Sequence, residues 1–343
     1  NAKIGFIGLG YVGLPLAVAF AKKGFQVTGF VRNKKKVEDL CNGINYLKDA
    51  TIDKDLKDVI KTKQLVPTVI GDNKLENQDV LIICVPTPVT EDKEPDLAPF
   101  KSVADRLSTI NLNGKLIINE STVSPFMTQD VIGRLSGDYF LVCSPERIDP
   151  GNKKRNTTNI PKLVGGVGKE SLDLAVTLYK LVLQDSVVPV KNMQTAEMAK
   201  MLENTYRAVN IALINEFAKL ADSCNIDILD VIEAAKTKWS FHPHYPGIGV
   251  GGHCIPVDPY YILQLAKNRG ISMDVTRRAL EGNEKMPEYL LNKLLAHYKK
   301  GMSVLVYGVT YKKNINDIRE RNVTHFCTLL KKKEIPLTVY DHL

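Results

Sequence analysis

Apolar residues open this chain in two different periods. Lys3 to Gly8 reads Lys-Ile-Gly-Phe-Ile-Gly, the signature of a buried strand. Tyr11 to Lys23 repeats its apolar positions at helical spacing and stops at Gly24. Phe25 to Val31 reads as a second strand, so the first thirty residues form a β-α-β unit of mononucleotide-binding size. Further short apolar runs lie at Val80 to Val85, Lys115 to Asn119 and Tyr139 to Cys143, with polar helical stretches between them. That alternation predicts an α/β fold, a Rossmann-type parallel sheet with helices on both faces.

Near Ala196 the pattern changes. Thr195 to Ser223 reads as one long amphipathic helix almost without breakers, a length suited to a domain linker or a subunit interface. A second helical block spans Asp227 to Ala235. A loop rich in Pro, Gly and His follows from Phe241 to Asp258, and helices resume from Pro259 to Tyr298. At Gly301 a second α/β pattern begins, with a strand at Ser303 to Gly308, a helix at Thr324 to Lys332 and a strand at Leu337 to Tyr340. One β-α-β unit cannot bury both faces of its sheet, so the sequence is expected to stop inside a third domain. The expected division is 1–194 for a dinucleotide domain, 195–300 for a central helical domain, and 301–343 for the beginning of a C-terminal Rossmann-like domain.

Composition narrows the class. At 343 residues the chain exceeds one ordinary core, and 44% hydrophobic residues mark it as globular. No apolar run is long enough to span a bilayer, and the N-terminus lacks a basic n-region, which leads to the expectation of a cytoplasmic protein without a membrane partner. The six cysteines are scattered, with no CxxC pair, which argues against a disulfide framework and a cysteine zinc site. The net charge of +8 suits acidic, phosphorylated ligands. The lysine runs carry no interleaved aromatics, so no nucleic-acid partner is expected.

Candidate chemistry concentrates in two places. Gly8-x-Gly10-x-x-Gly13 follows a strand and opens a helix, the context in which a glycine loop cradles a pyrophosphate. The acid that accepts from the ribose hydroxyls at the end of the second strand is missing. Val31 occupies that position, followed by Arg32, so NAD is expected and NADP stays open. The second place is Gly249-Val250-Gly251-Gly252-His253-Cys254, with Asp258 four residues beyond the thiol. A dinucleotide site with a thiol on a glycine-rich loop suggests oxidation through a covalent sulfur adduct. His253 adjoins Cys254 in an extended segment and points away from it, which disfavours a Cys-His pair. His242, His244 and His253 lack the spacing of a helical zinc motif, so no metal is expected. Lys200 and Asn204 share one face of the long helix. Thr122 and Glu146 each follow a strand, where α/β folds place their ligands.

Taken together these motifs resemble the UDP-glucose/GDP-mannose dehydrogenases, the nucleotide-sugar 6-dehydrogenases, over essentially the whole chain. The motifs run in family order: Gly8 to Gly13, Val85-Pro86-Thr87-Pro88, Glu120-Ser121-Thr122-Val123 and Ser144-Pro145-Glu146-Arg147-Ile148. Then come Ala196-Glu197-x-x-Lys200-x-x-Glu203-Asn204, the Cys254 loop, and Gly308-x-x-Tyr311-Lys312 with Asp317-Ile318-Arg319-Glu320. Lys236-Thr237-Lys238 and Tyr245-Pro246-Gly247-Ile248-Gly249 resemble the UDP-N-acetylhexosamine branch most, with UDP-glucose and GDP-mannose as alternatives.

The resemblance implies an NAD-dependent four-electron oxidation of a sugar C6 alcohol to a uronic acid, through an aldehyde and a thioester. It implies Cys254 as nucleophile with Asp258 beside it, and Lys200 and Asn204 as the groups stabilising oxyanion character. Thr122 and Glu146 would place the water or take its proton. Gly8, Gly10, Tyr11, Val12, Gly13, Arg32, Pro86, Thr87, Thr122 and Arg319 would meet the cofactor. Glu146, Arg147, Lys200, Asn204, Lys238, Tyr245, Gly249 and Lys312 would meet a UDP-sugar. A homodimer through the long helix is implied as well. Two other readings remain: a two-electron 3-hydroxyacid-type dehydrogenase, which would not need Cys254, and a cofactor-binding chain without turnover.

Overall fold

The computed structural model describes residues 2–47, 51–71, 74–148, 157–183, 186–310 and 321–342. Its strands are β1 (Lys3–Ile7), β2 (Gln26–Val31), β3 (Leu65–Val69), β4 (Val80–Ile83), β5 (Leu116–Asn119), β6 (Phe140–Cys143), β7 (Lys162–Gly166), β8 (Val187–Pro189), β9 (Val304–Tyr307) and β10 (Leu337–Tyr340). The helices are α1 (Gly13–Lys22), α2 (Lys34–Cys41), α3 (Asp53–Lys61), α4 (Ala98–Leu107), α5 (Met127–Val131) and α6 (Lys169–Lys180). They continue with α7 (Met193–Ser223), α8 (Ile228–Ala235), α9 (Asp258–Asn268), α10 (Asp274–Glu284), α11 (Met286–Leu295) and α12 (Arg321–Lys332). The chain divides into two units, residues 1–201 and 202–343.

In the first unit eight strands form one sheet in the order β3-β2-β1-β4-β5-β6-β7-β8. Every pairing is parallel except β6 with β7, where Val142 faces Gly166 and Cys143 faces Gly165 in antiparallel register. The parallel sheet expected from the sequence is there, with this one antiparallel pair in it. Alternation along β4 shows why both faces are covered. Val80 and Ile82 join one apolar core with Phe6 and Phe20, while Leu81 and Ile83 join another with Phe100 and Leu107. β1 and β4 end a residue or two sooner than the apolar runs predicted, while β2, β5 and β6 end where expected. Gly8 and Val85 lie beyond the last ladder residue, and α1 starts at Gly13 rather than at Tyr11.

The second unit is mainly helical. Ala208, Val250 and Leu280 pack together, joining α7, the loop before α9, and α10. β9 and β10 pair in parallel, and α12 packs on one face through Leu330, with Leu291 of α11 and Ile335. The other face exposes Leu305, Tyr307 and Tyr340.

α7 begins in the first unit and is anchored there by Glu197. Its buried carboxylate accepts the backbone N–H groups of Phe126 (2.8 Å) and Thr128 (3.0 Å), the segment that leads into α5. Burial pushes Glu197 up to about 7, against the hydrogen bonds from Thr128 and Phe126 that favour its charged form. The native state therefore binds more protons than the unfolded chain between the ordinary carboxylate range and pH 7. The stability gained from that uptake is full at low pH and is lost as pH rises through about 7. Glu197→Gln keeps the shape without the charge. It is expected to gain on the wild type between pH 5 and pH 8, by about 2–3 kcal/mol at most. Unfolding midpoints of both proteins across that range check this; a pH-independent difference would contradict it.

Candidate active site

The carboxyl ends of β1, β4, β5 and β6 carry the polar groups of the first unit. At β1 the chain turns through Gly8, whose φ is +100° and whose Cβ would lie 2.4 Å from the Cys84 carbonyl oxygen. A Cβ on Gly13 would lie 2.0 Å from the Gly8 oxygen, so α1 can sit this close to β1 only without one. A Cβ on Gly10 would meet nothing within 4 Å, which leaves that stretch of backbone open to a ligand. No side chain caps α1, so its N-terminus is left to an anion. These residues fit a dinucleotide pyrophosphate. Tyr11 and Val12 lie in the turn, half-buried; Val31 ends β2, buried, and Arg32 beside it is exposed.

Hydrogen bonds stitch the neighbouring loops together. Val85 N–H donates to Ser121 Oγ (2.9 Å) and Thr87 Oγ1 donates to the Thr122 carbonyl (2.7 Å). The loops after β4 and β5 are thus tied to each other, and Pro86 is exposed. Asn119 braces the turn from below, donating to Ser121 O and Thr128 Oγ1 and accepting Ser121 N–H. Thr122 is half-buried at its crest.

Behind this edge lies a buried ionic cluster. Lys162 Nζ donates to Glu120 Oε2 at 2.6 Å and Glu146 Oε2 at 3.1 Å. Tyr179 OH donates to Glu120 Oε1. Glu146 Oε1 accepts the backbone N–H groups of Arg147 and Ile148, both at 2.8 Å. Burial alone would push Glu146 up, but Lys162 and the two N–H groups outweigh it and hold the carboxyl below its ordinary range. Burial pushes Glu120 up to about 7; Lys162 opposes that shift and the Glu146 charge adds to it. Arg147 Nη1 donates to the Pro161 carbonyl, 2.8 Å away.

In the second unit two asparagines hold the loop that leads to Cys254, and a third braces α7 behind it. Asn215 on α7 accepts Gly247 N–H (2.9 Å), Asn283 on α10 donates to Ala208 O (2.9 Å), and Asn322 on α12 donates to Ile248 O (2.9 Å) and Val250 O (3.2 Å). Gly249 sits between them with φ +98°, and a Cβ there would lie 2.3 Å from Asn283 O. Its role is thus to let the loop pass, rather than to present a side chain. After Val250 the chain emerges, and Cys254 is exposed. The Cys254 carbonyl accepts the N–H groups of Val257 (3.0 Å) and Asp258 (2.8 Å), a turn that starts α9. Asp258 is buried at the first position of α9, where Asn204 Nδ2 donates to its Oδ2 at 2.5 Å.

Cys254, Asp258 and Asn204 are therefore brought into one structure. Lys200, one turn before Asn204 on α7, is buried, and among the described residues no carboxylate lies within ion-pair distance of it. Lys238 and Tyr245 are exposed beyond α8. Lys312 and Arg319 lie outside the described residues. Sequence reasoning passed over Lys162, Tyr179, Asn215, Asn283 and Asn322. Only Glu120 stood in a quoted motif, and it carried no role. A lysine opening the run Lys162-Leu163-Val164 gives no sign of its partners. Among the described residues no cluster of His, Cys, Asp and Glu suits a metal, and no helix is long and apolar enough to cross a membrane.

Residues 2–183 match the UDP-glucose/GDP-mannose dehydrogenase family, NAD binding domain, and residues 194–285 match its central domain. The UDP-N-acetyl-D-glucosamine 6-dehydrogenase of Salmonella typhi is 36% identical over 356 residues, covering 99% of this chain and 82% of that protein. The UDP-N-acetyl-D-mannosamine dehydrogenase of Methanocaldococcus jannaschii is 36% identical over 345 residues, covering 99% and 79%. The solved structure of a UDP-D-ManNAc dehydrogenase from Pyrococcus horikoshii superposes with a TM-score of 0.91 at 33% identity, covering 99% of this chain and 83% of that one.

The end of β2 yields a cofactor prediction. Val31 offers no acceptor to a ribose hydroxyl, and exposed Arg32 puts a positive charge next to it. Val31→Asp is expected to raise the preference for NAD over NADP by about 1–3 kcal/mol, the scale of a charged hydrogen bond. The ratio of the two dissociation constants measures it, and an unmoved ratio would mean that the adenosine ribose does not sit against this residue.

Proposed function

The chain belongs to the UDP-glucose/GDP-mannose dehydrogenase family, and from that premise we propose that it oxidises the C6 hydroxyl of a UDP-N-acetylhexosamine to the uronic acid through a sulfur adduct on Cys254. It is an NAD-dependent nucleotide-sugar dehydrogenase. The observation that carries the finer reading is an exposed thiol at the end of a rigidly held glycine loop, with a buried Asn204–Asp258 pair one turn beyond it. The acetamido sugar is supported by the names of the two relatives and by the Tyr245 to Gly249 loop.

Gly8, Gly10 and Gly13 would hold the dinucleotide, which when bound supplies the hydride acceptor for two rounds of oxidation. The chain's own groups do the rest. The Cys254 thiolate adds to the C6 aldehyde carbon, forming the C–S bond. Lys200 and Asn204 stabilise the negative charge on its oxygen. Once the adduct has been oxidised to the thioester, water attacks the acyl carbon, the C–S bond breaks and the thiolate leaves. Glu146 takes one proton of that water with Thr122 placing it, and the second is released as the acid ionises. Lys238, Tyr245, Lys312 and Arg147 are assigned to substrate; Tyr11, Val12, Arg32, Pro86, Thr87 and Arg319 to cofactor. The division at residues 194 and 300 belongs to the same proposal.

A homodimer through α7 is also proposed. Leu202, Tyr206, Leu213, Phe217 and Leu220 recur at helical spacing and are all exposed, as are Leu229 and Val231 on α8. Phe217→Glu with Leu220→Glu should convert a dimer to a monomer in sedimentation. Unchanged mass would place the interface elsewhere.

Cys254→Ser should abolish uronic acid formation while sugar affinity survives, because a hydroxyl is a far weaker nucleophile and a poorer leaving group than a thiolate. Product analysis and equilibrium binding measure the two effects. Uronic acid at a near wild-type rate would rule out the covalent route.

A further inference from the structure

The buried cluster behind Glu146 has more parts than holding a loop requires. Lys162, Glu120 and Glu146 have side chains 4%, 0% and 6% exposed, and Tyr179 is fully buried. Each side chain comes from a different segment: Glu120 follows β5, Glu146 follows β6, Lys162 opens β7 and Tyr179 lies on α6. One cation faces two carboxylates, so the cluster carries a net charge of −1 when both are ionised.

The hydrogen bonds decide which lone pair of Glu146 can act. A carboxylate oxygen accepts at two sites. Oε1 spends both on the N–H groups of Arg147 and Ile148. Oε2 spends one on Lys162. Among the described residues nothing else donates to Glu146, so one accepting site on Oε2 remains. Lys162 lies nearer Glu120 (2.6 Å) than Glu146 (3.1 Å), so its charge is divided in favour of Glu120.

We propose that Lys162 and Glu120 are positioning residues for Glu146: Lys162 holds one of its carboxylate oxygens and leaves one lone pair unspent, and Glu120 shares that ammonium, so that Glu146 stays able to take a proton. This rests on the reading that Glu146 takes the proton of the water that cleaves the thioester. Without Lys162, two buried like charges could not both ionise. Without the Glu120 charge, the whole ammonium would act on Glu146 and weaken it as a base.

The other titratable groups at the cluster cannot take over this role. Cys84 after β4 and Cys143 at the end of β6 are pushed up by burial and stay neutral. Tyr179 is pushed up as well, by burial and the adjacent Glu120 charge, so it remains a donor. Glu120, at about 7, is the member that takes a proton near neutrality. As pH falls through about 7, Glu120 becomes neutral, Lys162 turns to Glu146 alone, and hydrolysis slows. Glu120→Gln should fix that slow state at every pH.

The test follows the acyl group on Cys254 by rapid quench and intact mass, using UDP-N-acetylglucosamine with NAD from pH 6 to 9. Glu146→Gln comes first and should accumulate acyl-enzyme. If it turns over like the wild type, the base reading itself falls and the positioning proposal with it. Given accumulation, Glu120→Gln should slow acyl release roughly tenfold or more, out of the ~10²–10⁴-fold that a general base contributes. It should also lose the acidic limb near pH 7. Lys162→Met alone would bury two unpaired carboxylates, so the informative variant is Lys162→Met with Glu120→Gln, which keeps the net charge at −1. It should bind NAD normally, hydrolyse slowly, and move the acidic limb to higher pH, while Lys162→Arg restores part of the rate. Wild-type release and an unmoved pH profile in these variants, with Glu146→Gln still blocked, would overturn the proposal and leave the base reading standing.

Discussion

A sheet buried on both faces has nowhere to put chemistry except its strand ends, and that constraint organises the first unit. Apolar side chains of β1, β4, β5 and β6 point into one core or the other. Just past the last ladder residues come Gly8, Cys84, Glu120 and Ser144, and Asn119, which ends β5, already bonds into the loop after it. Each still donates its N–H to the neighbouring strand: Gly8 to Phe30 O, Cys84 to Ile7 O, Glu120 to Ile83 O and Ser144 to Asn119 O. The loops thus leave the sheet in fixed register. A buried ammonium is tolerable there because two carboxylates satisfy it, where an unpaired one would be strongly destabilising.

The Cys254 loop reaches rigidity by another route. It has no ladder to leave, so backbone groups of residues 247 to 250 are met by amide side chains from α7 and α12, with Asn283 of α10 braced behind them. Amides suit the task because each carries a donor and an acceptor without adding charge beside Cys254. The positive φ of Gly249 and Gly252 then carries the chain out to Cys254. Of the elements seen here, the turn from Cys254 to Asp258 is the one that ties thiol and carboxylate together.

Much of this could be read from the sequence, and what was missed has a physical cause. The β-α-β opening, the long helix and the closing strand Leu337–Tyr340 were legible because periodicity is local. β3 was not, since Leu65-Val-Pro-Thr-Val is short and contains proline. β7 and its antiparallel pairing were not, because strand direction depends on partners far along the chain. Cys254 and Asp258 were legible because they lie four residues apart. Lys162 was not, because its partners are 42 and 16 residues away and a lysine opening a strand usually marks a solvated edge.

The central claim is that one active site takes an alcohol to an acid without releasing the aldehyde. Counting NADH formed per UDP-N-acetylhexosamine consumed, with the sugar product identified by mass, tests that claim most directly. The account predicts two NADH per sugar and a uronic acid as the only accumulated product. One NADH per sugar with free aldehyde in solution would contradict it.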